Sequence, residues 1–323
     1  MHKIIIDSDP GVDDAVAIFL ALASPEIELV GVTTVAGNVG LDKVHNNAKR
    51  LLALAKRTDI PLAKGCTHPI MTRCSNHTDV HGEDGLSGIT LPESNTPDYA
   101  GHAIDFIIDT VMSNPGEITL CPIAPLTNIA MAMIKEPRLA DCVKDIVLMG
   151  GAAFTQGNVT PAAEFNFYVD PHAAHIVFEN ARHITMLGLD VTTKADIRSG
   201  LCSSLEKKGY IAQTTAAMSR KYAEFDPFLH DPCVITYLIQ PEMFTSIEGD
   251  IYIECESKTL FGHSLLINNE KTKGIKPKCT IVTDVNSSKL MSLIAERIAT
   301  LDKTMPSDFS RPAITPNLVY QEI

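Results

Sequence analysis

The sequence predicts an α/β protein built on an open, doubly wound, mostly parallel sheet with flanking helices. Short apolar runs suited to buried strands (residues 4–6, 28–33 and 60–63) alternate with helical patterns (15–22 and 41–56), a β-α-β-α-β opening. Polar or glycine-bearing turns follow strand after strand, as at Asp7 to Asp14, Asn38, Thr127, Met149 and Asp190. With 323 residues, 45% hydrophobic and 20% charged, the chain can bury one large core.

The first strand hands over to its helix through Asp7-Ser-Asp-Pro-Gly-Val-Asp-Asp14. Pro10 and Gly11 break the strand, and Asp13 and Asp14 open the helix near the positive end of its dipole. An acidic cap accounts for two acids, not four. Carboxylates ~4 Å apart repel by about 4 kcal/mol at an effective dielectric of about 20, so the cluster needs a cation or a shared proton. Oxygen donors favour Ca²⁺ or Mg²⁺ over zinc. An EF-hand loop begun at Asp7 fails, because Val12 stands where Gly is required and Ile18 where Glu is required. A phosphatase of the haloacid dehalogenase type matches at Asp7 and Asp9 but not at Gly11, and is kept as an alternative.

The first helix stops near Ser24-Pro25, and the second strand ends in Val35-Ala-Gly-Asn38. No G-x-G-x-x-G opens the first helix, which disfavours dinucleotide binding. Residues 66–98 are irregular and polar, the length of a lid or binding loop. A helix over 99–112 and a strand over 118–121 lead into Pro122-Ile-Ala-Pro-Leu-Thr127-Asn128, which starts the next helix, and strand 145–149 ends at Gly150-Gly151. Asn158, Glu164 and Asn166, set among Gly, Pro and Phe165, suit recognition of a polyol. Asp170 caps a helix over 171–178, strand 184–187 ends at Asp190, and helical segments continue to Tyr222. His230-Asp231-Pro232 opens a helix over 233–239, offering a further ligand and an acid/base group. Residues 250–284 read as strands with turns at 268–270 and 273–274, and a last helix covers 287–301. One domain over 1–302 and a tail over 303–323 is the simplest organisation.

A net charge of −12, without a Lys/Arg run, argues against nucleic-acid or anionic-membrane partners. No apolar run approaches the ~20 residues of a membrane span. Eight cysteines without a C-x-x-C pair and an N-terminus without a long apolar core suggest a reduced, cytoplasmic protein.

Taken together, Asp7 to Asp14, Val35 to Asn38, Val80-His81-Gly-Glu83, Pro125-Leu-Thr127-Asn128, Asn158 to Asp170 and His230-Asp231-Pro232 resemble the inosine-uridine preferring nucleoside hydrolases, from residue 3 to about 300. The resemblance implies hydrolysis of the N-glycosidic bond of ribonucleosides, a Ca²⁺ ion deep in the pocket, and a homodimer or homotetramer. It makes Asp9, Asp14, Asp231 and the Thr127 carbonyl ligands of the ion, with Asp7 in support, and Asp9 the base for the attacking water. Asp13, Asn38, Asn158, Glu164 and Asn166 would hold ribose hydroxyls, with Met149 and Phe165 lining the pocket. His230, expected to act as leaving-group acid, and His81 would lie near the base. Ser8 stands where the family often has Thr or Cys. A calcium-dependent nucleoside-binding protein without turnover is the non-enzymatic alternative.

Overall fold

The computed structural model describes residues 1–71, 78–267 and 277–301. Its centre is a nine-stranded sheet in the order β3-β2-β1-β4-β5-β6-β9-β7-β8. The strands are β1 His2–Ser8, β2 Ile27–Thr34, β3 Leu62–Lys64, β4 Ile118–Pro122, β5 Asp145–Met149, β6 Ile184–Leu187, β7 Phe244–Ile253, β8 Ser264–Ile267 and β9 Cys279–Val285. Pairing is parallel from β3 to β9, whereas β7 and β8 add antiparallel strands at one edge.

Ile4, Ile5 and Ile6 explain why β1 sits centrally. Successive side chains leave opposite faces of a strand, so Ile4 and Ile6 enter one apolar core while Ile5 enters the other. The helix Val12–Ala23 covers the first face, and the helices Ala103–Ser113 and Thr127–Lys135 cover the second. Strand order reverses between β1 and β4, opening a crevice beyond their carboxyl ends. The acid loop after β1 and Ile123 after β4 flank it, joined by the Ile123 N–H on the Asp7 carbonyl at 2.8 Å.

The expected helix at 99–112 instead spans Ala103–Ser113, because His102 caps it, Nδ1 accepting from the Ile104 N–H at 3.2 Å. β7 starts at Phe244 rather than near 250, since pairing with β9 extends the strand through an exposed stretch without an apolar run. The polyol loop contains a short helix, Phe165–Val169, and the lid region a short helix, Thr78–His81. The turns expected at 268–270 and 273–274, the lid residues 72–77 and the tail 303–323 lie outside the described residues. Among the described residues no helix is long and apolar enough to cross a membrane.

Candidate active site

The acid loop is folded by its own carboxylates. Asp14, in the first turn of Val12–Ala23, accepts from the Gly11 N–H at 2.9 Å on Oδ2, and from Ser8 Oγ at 2.7 Å and the Asp9 N–H at 3.2 Å on Oδ1. Asn38 brings in the end of β2: its N–H donates to Asp9 Oδ2 at 2.6 Å, and its Nδ2 to the Asp9 carbonyl at 3.0 Å and to Asp14 Oδ2 at 3.3 Å. This approach requires Gly37, where a Cβ would collide with the Asp9 carboxylate. Asp231 occupies the cap position of the helix Pro232–Ile239, yet makes no side-chain cap bond.

Asp13, Asp14 and Asp231 offer ligand atoms all within 4.8 Å of one another, and Asp9 lines the cavity beside them. All four are buried, and among the described residues no Lys or Arg pairs with any of them. Burial raises the proton affinity of all four; repulsion within the set adds to it at Asp9, Asp14 and Asp231, whereas at Asp13 the His230 charge opposes it. Asp14 is pushed up to about 6 by burial and the Asp13 charge, and Asp9 and Asp231 stand well above the ordinary carboxylate range. An all-oxygen, uncompensated anionic cluster fits a hard divalent cation.

The cavity above these acids has a volume of about 360 Å³. Asn38, His81, Met149, Asn158, Glu164, Phe165, Asn166 and His230 all line it, while Asp14 lies beneath at 0% exposure. On one side, Glu164 is engaged by the backbone: it accepts from the N–H groups of Asn166 (2.8 Å), Gly151 (2.9 Å) and Phe167 (3.2 Å), capping Phe165–Val169. Gly151, at φ +80°, supplies the left-handed turn after β5. Asn166 Nδ2 donates to the Met149 carbonyl at 3.2 Å, and Asn158 Oδ1 accepts from the Phe165 N–H at 3.0 Å. Among the described residues the other end of each amide has no hydrogen-bond partner.

On the opposite side stand two histidines in different states. The Val12 N–H donates to His81 Nδ1 at 3.2 Å, so the ring proton sits on Nε2. Burial lowers the His81 pKa to about 4, and the ring stacks on Tyr222 with centroids 5.2 Å apart. His230 is also buried, but its hydrogen bond to Asp226 and the charges of Asp226, Asp13 and Glu164 outweigh desolvation, leaving its pKa raised. Tyr222, Phe225 and Asp226 complete this wall. Nothing in their local sequence pattern singles them out, because a Tyr and a Phe near a helix end read as packing.

The sequence profile of the inosine-uridine preferring nucleoside hydrolases matches residues 4–292. The chain belongs to that family. It is 39% identical over 305 residues to the pyrimidine-specific ribonucleoside hydrolase RihA of Salmonella gallinarum, covering 91% of this chain and 97% of the relative. A purine-preferring ribonucleoside hydrolase from Gardnerella vaginalis superposes with TM-score 0.87 at 30% identity, covering 93% of this chain and 99% of that one. A plant nucleoside hydrolase superposes with TM-score 0.85 at 33% identity, covering 92% and 99%. The protein is thus a ribonucleoside N-ribohydrolase.

In this nucleoside hydrolase one expected site residue stands apart. Thr127 does not line the acidic cavity: its hydroxyl donates to Asp170 Oδ2 at 2.7 Å, and it borders a separate cavity of about 650 Å³. As the first residue of Thr127–Lys135, its carbonyl belongs to the helical ladder and points down the helix. Ile123 lines the acidic cavity instead, and among the described residues its carbonyl accepts no hydrogen bond. The sequence signal was its place immediately after β4, at the strand-order reversal.

Proposed function

We propose that this enzyme hydrolyses the N-glycosidic bond of purine and pyrimidine ribonucleosides to ribose and free base, using Ca²⁺. The observation that carries the reading is the buried set of Asp9, Asp13, Asp14 and Asp231, which among the described residues has no Lys or Arg partner. Asp9, Asp14 and Asp231 would hold the ion, with the Ile123 carbonyl in place of Thr127. Bound there, Ca²⁺ would supply Lewis acidity toward the attacking water and a template for the sugar diol.

The side chains account for the remaining work. Asp9, whose proton affinity is raised by burial and by Asp14, takes the proton of the attacking water. Asp13 and Asn38 grip the 2′- and 3′-hydroxyls, with Asn158, Glu164 and Asn166 beyond them. Departure of the base leaves positive charge on the ribosyl ring, and a carboxylate-rich wall stabilises that oxocarbenium-like transition state more than the neutral substrate. His230 would protonate the leaving base by turning its Nε2–H from Asp226 into the cavity, while His81 Nε2–H offers a fixed donor. Pyrimidine O2 and purine N3 both present an acceptor beside the glycosidic bond, so that donor serves either class.

Ribose release should be assayed on a panel of purine and pyrimidine ribonucleosides, before and after chelation and with Ca²⁺ or Mg²⁺ restored. Phosphate release from sugar phosphates with no ribose release would favour the phosphatase reading, and nucleoside binding without ribose the binding-protein reading. We further propose a homodimer or homotetramer in the cytoplasm. All seven cysteines among the described residues are free thiols, as a reducing compartment permits.

A further inference from the structure

Beneath the acid loop, wholly buried, lies Asn128. Its Nδ2 donates to Asp7 Oδ1 at 2.8 Å and to the Thr34 carbonyl at 3.1 Å, and its Oδ1 accepts from the Cys66 N–H at 2.9 Å. One amide thereby joins the ends of β1 and β2 and the chain just beyond β3. Each of these segments leads to the site. Asp7 precedes Asp9 by two residues, and Thr34 leads to Asn38. The Cys66 carbonyl accepts from the Ala36 N–H at 3.0 Å, in the same Asn38 loop. The seat is shaped for the amide, since a Cβ on Gly65 would collide with both its oxygen and its nitrogen. Asp7 Oδ1 also accepts from Thr33 Oγ1 at 2.6 Å, whereas among the described residues its buried Oδ2 has no partner.

We infer that Asn128 is a positioning residue: by tying Asp7, Thr34 and Cys66 together it fixes the acid loop against the Asn38 loop, and so sets the affinity for the divalent cation and the ribose without touching either. The hydrogen bonds between Asn38 and Asp9 are the elements such a shift would disturb. The inference rests on the cation reading proposed above.

The test compares wild type, Asn128→Asp and the double variant Asp7→Asn/Asn128→Asp. Chelator-stripped protein is titrated calorimetrically with Ca²⁺, and Tm, kcat and KM for a ribonucleoside at saturating Ca²⁺ are measured. Asn128→Asp keeps the shape and the acceptor for Cys66, but loses both donors and sets a carboxylate against Asp7. It should weaken Ca²⁺ binding by about ten-fold, the low end of the cost of removing a group bonded directly to a metal ligand, because Asn128 acts through Asp7 and Thr34 and not on a ligand itself. KM should rise while kcat stays within about three-fold. The double variant, which exchanges donor and acceptor across the 7–128 pair but leaves the Thr34 carbonyl without its donor, should recover part of the lost affinity. Gly65→Ala, which displaces the amide without adding charge, should weaken Ca²⁺ binding in the same direction and serves if the charged variant does not fold. Lowered Tm with unchanged Ca²⁺ affinity and KM would make Asn128 a purely structural residue and overturn the inference. A wild-type protein that takes up no Ca²⁺ would remove the cation reading, and this inference with it.

Discussion

Asp226 Oδ2 stands 3.1 Å from His230 Nε2, and Thr192 Oγ1 stands 2.7 Å from the opposite ring nitrogen. Both nitrogens of His230 are therefore held by protein groups. A carboxylate only accepts, so the Nε2 proton is directed toward Asp226, at the edge of the cavity. The Thr192 hydroxyl can donate or accept, which lets the ring keep both contacts in either protonation state.

His230→Ala should lose about 10²–10⁴-fold in kcat on a natural nucleoside, the usual worth of a general acid. On p-nitrophenyl riboside, whose leaving group is a stable anion, the variant should stay near wild type. Asp226→Ala, which leaves the ring anchored only through Thr192, should show the same substrate dependence with a smaller loss. Equal losses on both substrates would assign His230 to packing or base contact instead.

Asp9→Asn and Asp231→Asn should both abolish most turnover but respond differently to metal. Asp231 carries a ligand role alone in the proposed site, so excess Ca²⁺ should restore part of the Asp231→Asn activity. Asp9 is both ligand and base, and no Ca²⁺ concentration should rescue Asp9→Asn. Steady-state rates across a Ca²⁺ titration decide this, and an active Asp9→Asn enzyme would exclude Asp9 as the base.

Ribose recognition through buried polar groups predicts strong rejection of 2′-deoxynucleosides. The missing hydroxyl leaves Asp13, Asn38 and the cation without a partner, which should cost at least about 10²-fold in kcat/KM. The comparison of uridine with deoxyuridine is direct. Similar rates would show that the sugar sits elsewhere.

Stabilisation by Ca²⁺ should grow with pH. In the metal-free fold Asp14 holds its proton up to about 6, against an ordinary 3.8, and Asp9 and Asp231 are shifted the same way. Below that range the ion must displace protons; above it the carboxylates are ionised, mutually repelling and free to bind. The Tm gain on adding Ca²⁺ should therefore be larger at pH 7.5 than at pH 5. Comparing melts with Ca²⁺ and with chelator at each pH cancels opposing contributions such as His81, whose lowered pKa makes the fold more stable as pH rises. A gain that shrinks with rising pH would count against these acids as the ion's ligands.

From the sequence alone, residues 4–6 mark a strand buried on both faces, Pro10-Gly11 a sharp turn, and Asp7 to Asp14 a cluster too acidic to stand without a cation. These are local properties: side-chain period, turn chemistry and charge density act within a few residues. The family motifs extend that reading to most of the cavity wall, from Asn38 to Asp231. Which lone pairs remain free was decided only by the tertiary structure. Thr127 and Ile123 are four residues apart, yet the helix engages the carbonyl of the first and leaves that of the second at the crevice. Glu164 reads as a sugar ligand in the sequence, but that three backbone N–H groups also converge on it and fix its carboxylate is visible only in the fold. Asp226 gains its meaning from His230, and Asn128 from Asp7, a partner 121 residues away. A hydrogen bond is directional and short, so a group's chemistry depends on where distant backbone ends after folding, and no pattern along the chain encodes that position.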